Sequence, residues 1–410
     1  MRPADPAPAA AEPARPSPAG ASPSRRILEL DGLRAFALLA VISFHYTLSN
    51  ALANPVTALG WVGVDLFFVL SGYLITGILL RSSRRPKYYA TFYARRTLRI
   101  FPVYYLLLAV YVIVAWIQGG AQPWTYWAMH AAFLSSVAEY FHYWPFAAPV
   151  FVYAGVSVLW SLSIEELFYL MWAPLVRMLR PRHLWMVVLG VIVGSPLLRF
   201  AIHGRGFREY SFLPARFDSL AWGAALALLG VGPGRKVARL EPLARWAGHR
   251  LSLWTALLVP ALAGLLVLIV LTGGGRGQLW FATLGYSLLA LVFAGVLGWT
   301  VTHAGSRAPV CRLLRWEPAR YLGRISYTAY LVHYPIFTLL ANGRWLGSGA
   351  AATAARAAIS LALTLAVAGA SWRWLEAPIL TLKERWAPAA RARQGGPASA
   401  RLCTGPIPPE

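Results

Sequence analysis

Acidic residues are scarce in this chain: Asp and Glu number 15 against 38 Lys and Arg, leaving a formal net charge of +23. Charge of either sign occupies only 13% of positions, against about 25% in soluble domains, which excludes an ordinary soluble globular protein. Cysteine is nearly absent too. Cys311 and Cys403 form neither a disulfide framework nor a metal-ligand spacing, so no metal site is expected. The basic excess does not read as a nucleic-acid face, because Lys and Arg sit in short loops between apolar runs. No nucleic-acid partner is expected.

What the chain has in abundance is apolar sequence, at 58% hydrophobic. Continuous runs of helix-spanning length recur from end to end without alternation, which argues an all-α polytopic membrane protein and against a β-barrel. About ten spans are expected, near 32–49, 60–80, 99–117, 158–179, 184–202, 216–231, 251–272, 279–301, 324–341 and 351–373. An extra interfacial helix is expected within 124–143, although the aromatic residues there also suit an interfacial belt. Residues 1–26, rich in Pro and Ala, read as a disordered tail; 27–380 form the transmembrane domain; 381–410 read as a disordered basic tail. Arg25-Arg26, the apolar run 35–44 and Ala51-Leu52-Ala53 loosely resemble a signal peptide, but Arg34 and His45 sit badly in such a segment.

Positive residues set the expected orientation. The segment 81–99 carries seven Lys and Arg, and 50–59 and 118–157 carry none. The alternation expects both termini in the cytoplasm. One loop disagrees: 199–216 should face outward yet holds Arg199, Arg205, Arg208 and Arg216. A functional anion contact is the favoured explanation, and an error in the span count is the other.

The stretch that organises the chain is LDGLRAFALLAVISFHY, Leu30 to Tyr46. Arg34 and His45 are eleven residues apart, so they lie on nearly one face and roughly 16 Å apart along the axis. Ionisable groups inside a span are costly, which makes function the default reading. The expected orientation gathers His45, Asp65, Glu165, Glu166, Asp218 and His333 toward the outer half. It gathers Arg34, Arg96, Arg99 and Arg324 at the inner mouth. Clustered guanidiniums with little acidic compensation suit a phosphate-bearing ligand; anionic membrane-lipid headgroups would suit them as well. Bland readings compete: Arg96 and Arg99 as topology determinants, Arg34 snorkelling, and either histidine as a hydrogen-bonded core residue.

These motifs, in this order, resemble the membrane-bound acyltransferase-3 family. The elements are the first helix, GWVGVDLFFVLSGYLIT, FYARRTLRIFPVYYLL, WSLSIEELFYL, RFDSLAWG, LGRISYTAYLVHYPI and WLEAPI, between Ile27 and Pro378. The resemblance implies a bacterial plasma-membrane O-acyltransferase of the stand-alone form, without an appended hydrolase domain. It implies that Arg34 and His45 are the family's arginine-to-histidine motif, with His45 catalytic. Arg96 and Arg99 match its paired-arginine motif and would help bind acyl-CoA, with acetyl-CoA the expected donor. Leu167 and Val158-Leu159 depart from the common pattern, which touches acceptor contacts more than chemistry.

In the mechanism these residues suggest, His45 is a general base on an acceptor hydroxyl. Asp65 or Glu165 would orient it, and Arg324 would join the donor site. Glu166, Arg216, Asp218 and His333 are the expected substrate contacts. The acceptor is a glycan, a lipid-linked sugar or a macrolide-like metabolite. A polytopic transporter of an anionic or sugar-containing substrate is the alternative; no inverted repeat is evident among the ten spans.

Overall fold

The computed structural model describes residues 27–47, 54–118, 122–140, 150–205, 209–232, 253–272, 277–341, 347 and 349–386. Among them there is no strand. The helices are α1 (Glu29–Thr47), α2 (Pro55–Ala58), α3 (Gly63–Ser82), α4 (Tyr88–Ile117), α5 (Trp124–Ala131), α6 (Ser135–Tyr140), α7 (Val150–Ser157) and α8 (Leu159–Met178). They continue with α9 (Pro181–Ile202), α10 (Phe217–Leu228), α11 (Leu253–Thr272), α12 (Tyr286–Thr302), α13 (Pro309–Arg315), α14 (Glu317–Ala341), α15 (Ala350–Ser371) and α16 (Ala377–Trp386). Both expected tails lie outside the described residues, apart from the last turn of α16.

Among the described residues, six stretches are long and apolar enough to cross a membrane: Val56–Ser82, Tyr88–Ile117, Phe151–Met178, Pro181–Ile202, Phe281–Thr302 and Ala350–Leu382. The chain is thus an all-helical, multi-pass membrane protein. A helix also occupies each of the other four expected spans. Of these, α1 carries Arg34 and His45, and α14 carries Arg324 and His333. The helix α10 has 12 residues, about 18 Å and short of a hydrocarbon core of about 30 Å. Apolar sequence in α11 covers Leu257–Thr272. Little of α9 and of the stretch containing α15 is buried, only 17% and 11% of their apolar windows; such faces suit contact with lipid. The stretch expected to hold an interfacial helix folds as α5 and α6 up to Tyr140.

Helix α1 runs through the middle of the bundle, between α3 on one side and α14 on the other. Backbone approaches this close need residues without side chains. A Cβ at Gly323 of α14 would stand 1.9 Å from the Asp31 carbonyl oxygen, and one at Gly63 would stand 2.3 Å from that of Ala37. The ends of α1 are pinned as well. Buried Glu29 accepts hydrogen bonds from the Gly305 amide (2.8 Å) and Arg315 (3.2 Å). At the other end Tyr46 stacks on Phe337 of α14 and shares a 2.9 Å hydrogen bond with Thr364 of α15. The line of α1, and with it the position of His45, is therefore set by its neighbours rather than by its own sequence.

Charge in the interior is balanced by a chain of buried ion pairs where α3, α9, α10 and α12 meet. Arg216 Nη2 donates to Asp65 Oδ1 at 2.5 Å, and Ser219 donates to the same oxygen at 3.0 Å. Arg199 donates to Asp218 Oδ2 at 2.8 Å and to the Ala215 and Thr283 carbonyls. The Thr283 carbonyl belongs to a π-helical turn, Phe281–Gly285. Arg199, Arg216, Asp65 and Asp218 have no exposed surface. The outward-loop arginines are thereby corrected in two of four cases: Arg199 and Arg216 point into the protein as counter-ions. Arg205 is exposed, and Arg208 lies outside the described residues.

Two outcomes are expected of stability measurements in detergent or nanodiscs. Gly323→Ala forces α14 away from α1 and lowers stability by about 1–3 kcal/mol. Gly194→Ala, where an added Cβ meets nothing within 4 Å, leaves stability unchanged or slightly raised. Second, Asp65→Ala strands a buried guanidinium and costs about 3–5 kcal/mol, whereas Arg205→Ala stays within about 0.5 kcal/mol of the parent. Equal melting temperatures within either pair would contradict this packing.

Candidate active site

His45 lies in the last turn of α1, half-buried, with its Nδ1 3.0 Å from the Val41 carbonyl oxygen one turn back. The same nitrogen is 3.1 Å from Nε2 of His333 on α14. The two imidazoles meet edge to face, with centroids 4.9 Å apart, and Tyr334 lies 4.6 Å from the His45 ring. His333 is fully buried, and its Nδ1 stands 2.6 Å from the Tyr330 carbonyl oxygen. Two histidines 288 positions apart are thus brought into contact by the packing of α14 along α1.

A cavity of about 100 Å³ lies deeper in the bundle, toward the Arg34 end of α1. Arg34, Arg96 and Arg99 line it, together with Glu165, Ser71 and Tyr330. Its walls draw on α1, α3, α4, α8 and α14, so no single span could form it. Arg96 stands 4.0 Å from Glu165 and 3.7 Å from Glu166, with its guanidinium 4.0 Å above the Tyr169 ring. Neither Arg34 nor Arg99 makes a hydrogen bond or an ion pair with any described residue. Two guanidiniums without a bonded counter-ion, beside one held by carboxylates, are a site that attracts an anion.

The cavity and the histidine pair share a wall. Tyr330 lines the cavity, its ring lies 5.6 Å from that of His333 and 6.1 Å from that of Phe67, and its hydroxyl is 2.6 Å from Ser161 Oγ. One aromatic residue therefore separates the anion-attracting pocket from the imidazoles.

The expected roles change in several places. Glu165 does not orient His45: its carboxylate accepts from Ser71 (2.8 Å) and Tyr169 (2.9 Å) beside Arg96. Asp65 does not either, because the first turn of α3 aims it at Arg216 and Ser219. The imidazole of His333 occupies the place a carboxylate was expected to take. Arg216 and Asp218, expected as substrate contacts, are sealed in ion pairs. Arg324 lies on the partly exposed side of α14, bonded to Glu317 at 2.5 Å, and does not line the cavity. Adjacent residues on a helix point about 100° apart, and of the pair Glu165–Glu166 only the first lines the cavity.

Ser71, Ser161 and Tyr330 were not singled out from sequence. Tyr330 had a signal, since a residue three before His333 shares its helical face. The two serines had none.

Part of the aromatic loop packs inward rather than outward. His130 is buried, with Nδ1 2.7 Å from Ser135 Oγ, and Tyr104 donates to its carbonyl at 2.5 Å. Burial lowers its pKa to about 4, which keeps it neutral. His142, Tyr143 and Trp144 lie outside the described residues.

Comparison with known proteins agrees with this architecture. Residues 27–373 match the family model described as an acyltransferase domain, of acyltransferase-3 type. Among curated proteins, the peptidoglycan O-acetyltransferase OatA of Listeria monocytogenes is 29% identical over 329 residues, 76% of this chain and 49% of the relative. The putative peptidoglycan O-acetyltransferase YrhL of Bacillus subtilis is 31% identical over 343 residues, 77% of this chain and 49% of the relative. The O-acetyltransferase OatA of Staphylococcus aureus is 27% identical over 336 residues, 76% and 50% respectively. The chain spans about half the length of the curated relatives it matches, and no solved structure matches it. On a match that runs from the start of α1 through α15, this chain belongs to the acyltransferase-3 family.

Proposed function

We propose that the chain is a plasma-membrane O-acetyltransferase that moves an acetyl group from acetyl-CoA to a hydroxyl of a cell-wall glycan. The observation that carries this reading is the cavity in which Arg34 and Arg99 have no bonded counter-ion, one aromatic residue away from paired histidines. An acyl-CoA supplies both things this arrangement suits: phosphates for the guanidiniums, and a thioester on a long flexible arm. The arm bridges the roughly 16 Å that separate Arg34 from His45 along α1. The positive-inside pattern of the loops supports a cytoplasmic arginine end, on the side where CoA esters reside.

In this reading His45 takes the proton of the acceptor hydroxyl as the oxygen attacks the thioester carbonyl. The tetrahedral adduct collapses with cleavage of the C–S bond, and the departing thiolate takes the proton back from the imidazolium. Each proton removed is returned, so the enzyme ends as it began. Arg96, braced by Glu165 and Glu166, holds the inner wall of the donor pocket. The relatives' names support a peptidoglycan-type acceptor over a macrolide-like one. Transport finds no support in the family match, since a path for a whole substrate needs no histidine pair.

The test is transfer of radiolabelled acetyl from acetyl-CoA to a muropeptide or chitooligosaccharide by the purified full chain in nanodiscs. His45→Ala is expected to cut kcat by about 10²–10⁴-fold while the protein stays inserted and folded. Arg99→Ala is expected to raise KM for acetyl-CoA by about tenfold or more, with a smaller change in kcat, as loss of a phosphate contact does. Wild-type turnover by His45→Ala, or unchanged donor KM in Arg99→Ala, would overturn the assignment.

A further inference from the structure

Helix α14 carries four tyrosines, and their hydroxyls meet different fates along its length. Tyr321 stands exposed near the start. Tyr327 donates to the Ile100 carbonyl at 2.8 Å, and the Tyr330 hydroxyl lies 2.6 Å from Ser161 Oγ. The Tyr334 hydroxyl, one turn farther on, bonds to no described residue, and it is not sealed in the interior. Its ring is held none the less. The ring centroid is 4.6 Å from that of His45 and 6.4 Å from that of His333, and the side chain packs against the cluster of Leu38, Ile42 and Phe337. A fixed ring thus presents an open hydroxyl beside the paired imidazoles. An apolar body packed on protein with its polar tip left open is how tyrosine serves ligand surfaces.

We infer that Tyr334 is an acceptor-binding residue, whose hydroxyl hydrogen-bonds an oxygen of the acceptor next to the hydroxyl that His45 deprotonates. This inference rests on the proposed role of His45 as base and on a donor that arrives from the arginine cavity. Tyr334 lies four residues past Tyr330, about 6 Å farther along α14 from the Arg34 end. With the donor arm coming from that end, the acceptor has the Tyr334 side of the histidines left to it. A phenol both donates and accepts, so it suits a second hydroxyl or a ring oxygen equally. An acceptor whose reacting hydroxyl has another oxygen close by makes both contacts at once; a simple alcohol makes only the one with His45. The class this selects is a saccharide. Two contacts also fix the direction of the attacking oxygen, which one contact leaves free.

The test sets Tyr334→Phe, which removes the hydroxyl and keeps the packed ring, against Tyr321→Phe at the far end of the same helix. The full chain in nanodiscs is assayed with acetyl-CoA as donor and chitooligosaccharide as acceptor. Tyr334→Phe is expected to raise KM for the saccharide about 3–10-fold, as loss of one neutral hydrogen bond does. KM for acetyl-CoA should stay within about twofold, and Tyr321→Phe should match the wild type in both. Removing a hydroxyl that only buttressed the fold would lower kcat or stability without separating the two KM values. An unchanged saccharide KM in Tyr334→Phe, or an equal rise in both KM values, overturns the inference.

Binding without the donor separates this claim from the reading beneath it. With acetyl-CoA left out nothing is transferred, and saturation-transfer NMR reads the affinity of the chitooligosaccharide alone. That affinity should fall by the same factor in Tyr334→Phe. A wild type that holds no saccharide overturns the inference. If His45→Ala is inactive and Tyr334→Phe binds saccharide as the wild type does, the acceptor contact fails and the base survives. If His45→Ala is itself fully active while Tyr334→Phe still weakens saccharide binding, the base assignment fails and the acceptor contact stands.

Discussion

The site depends on the close backbone contact between α1 and α14. Gly323 lets α14 lie against the Asp31 carbonyl with no side chain between them, and from there the two helices run together to Tyr46 and Phe337. His45 and His333 belong to opposite ends of the sequence, and neither helix positions its histidine alone. The clamp from α3, through Gly63 against Ala37, removes the freedom α1 would have to move sideways. A helix whose apolar character is interrupted by Asp31, Arg34 and His45 has no independent reason to hold one rotation, so its neighbours set it.

The second constraint is the cost of burying charge in a bundle wrapped by hydrocarbon. The protein meets it differently in two places. Around Asp65 and Asp218 each carboxylate has a guanidinium and a hydroxyl, and the result is a sealed, neutralised knot that braces α3, α9, α10 and α12. Around the cavity the balance is left incomplete: Arg96 has its carboxylates, and Arg34 and Arg99 do not have bonded ones. The same residue type thus serves as internal brace in one place and as ligand attractor in the other. Pairing, rather than burial, tells them apart.

That distinction explains how far the sequence could be read. Apolar runs of spanning length gave the helices, because hydrophobicity over about 20 residues is a local property. The spacing of Arg34 and His45 gave a shared face for the same reason. Partners across helices were another matter. Arg216 and Asp218, neighbours in sequence, read as substrate contacts, yet each pairs with a residue elsewhere, Asp65 on α3 and Arg199 on α9. Arg324 looked like a member of the arginine cluster, but the rotation of α14 turns it to Glu317. Most instructive is His333: the sequence put it only toward the same outer half as His45, and the packing of α14 brings the two rings into contact. Chain position carried depth but not azimuth.

The central claim is that a CoA ester anchored at Arg34 and Arg99 extends past Tyr330 to His45. Its most direct test is a cryo-EM structure of the full chain with a non-hydrolysable acetyl-CoA analogue. The expected map has phosphate density against Arg34 and Arg99, the arm passing Tyr330, and the acyl carbonyl placed so that a hydroxyl about 3–3.5 Å away also reaches the His45 ring. A bound analogue whose phosphates lie outside the arginine cavity, or whose acyl carbon lies away from His45, would contradict the account.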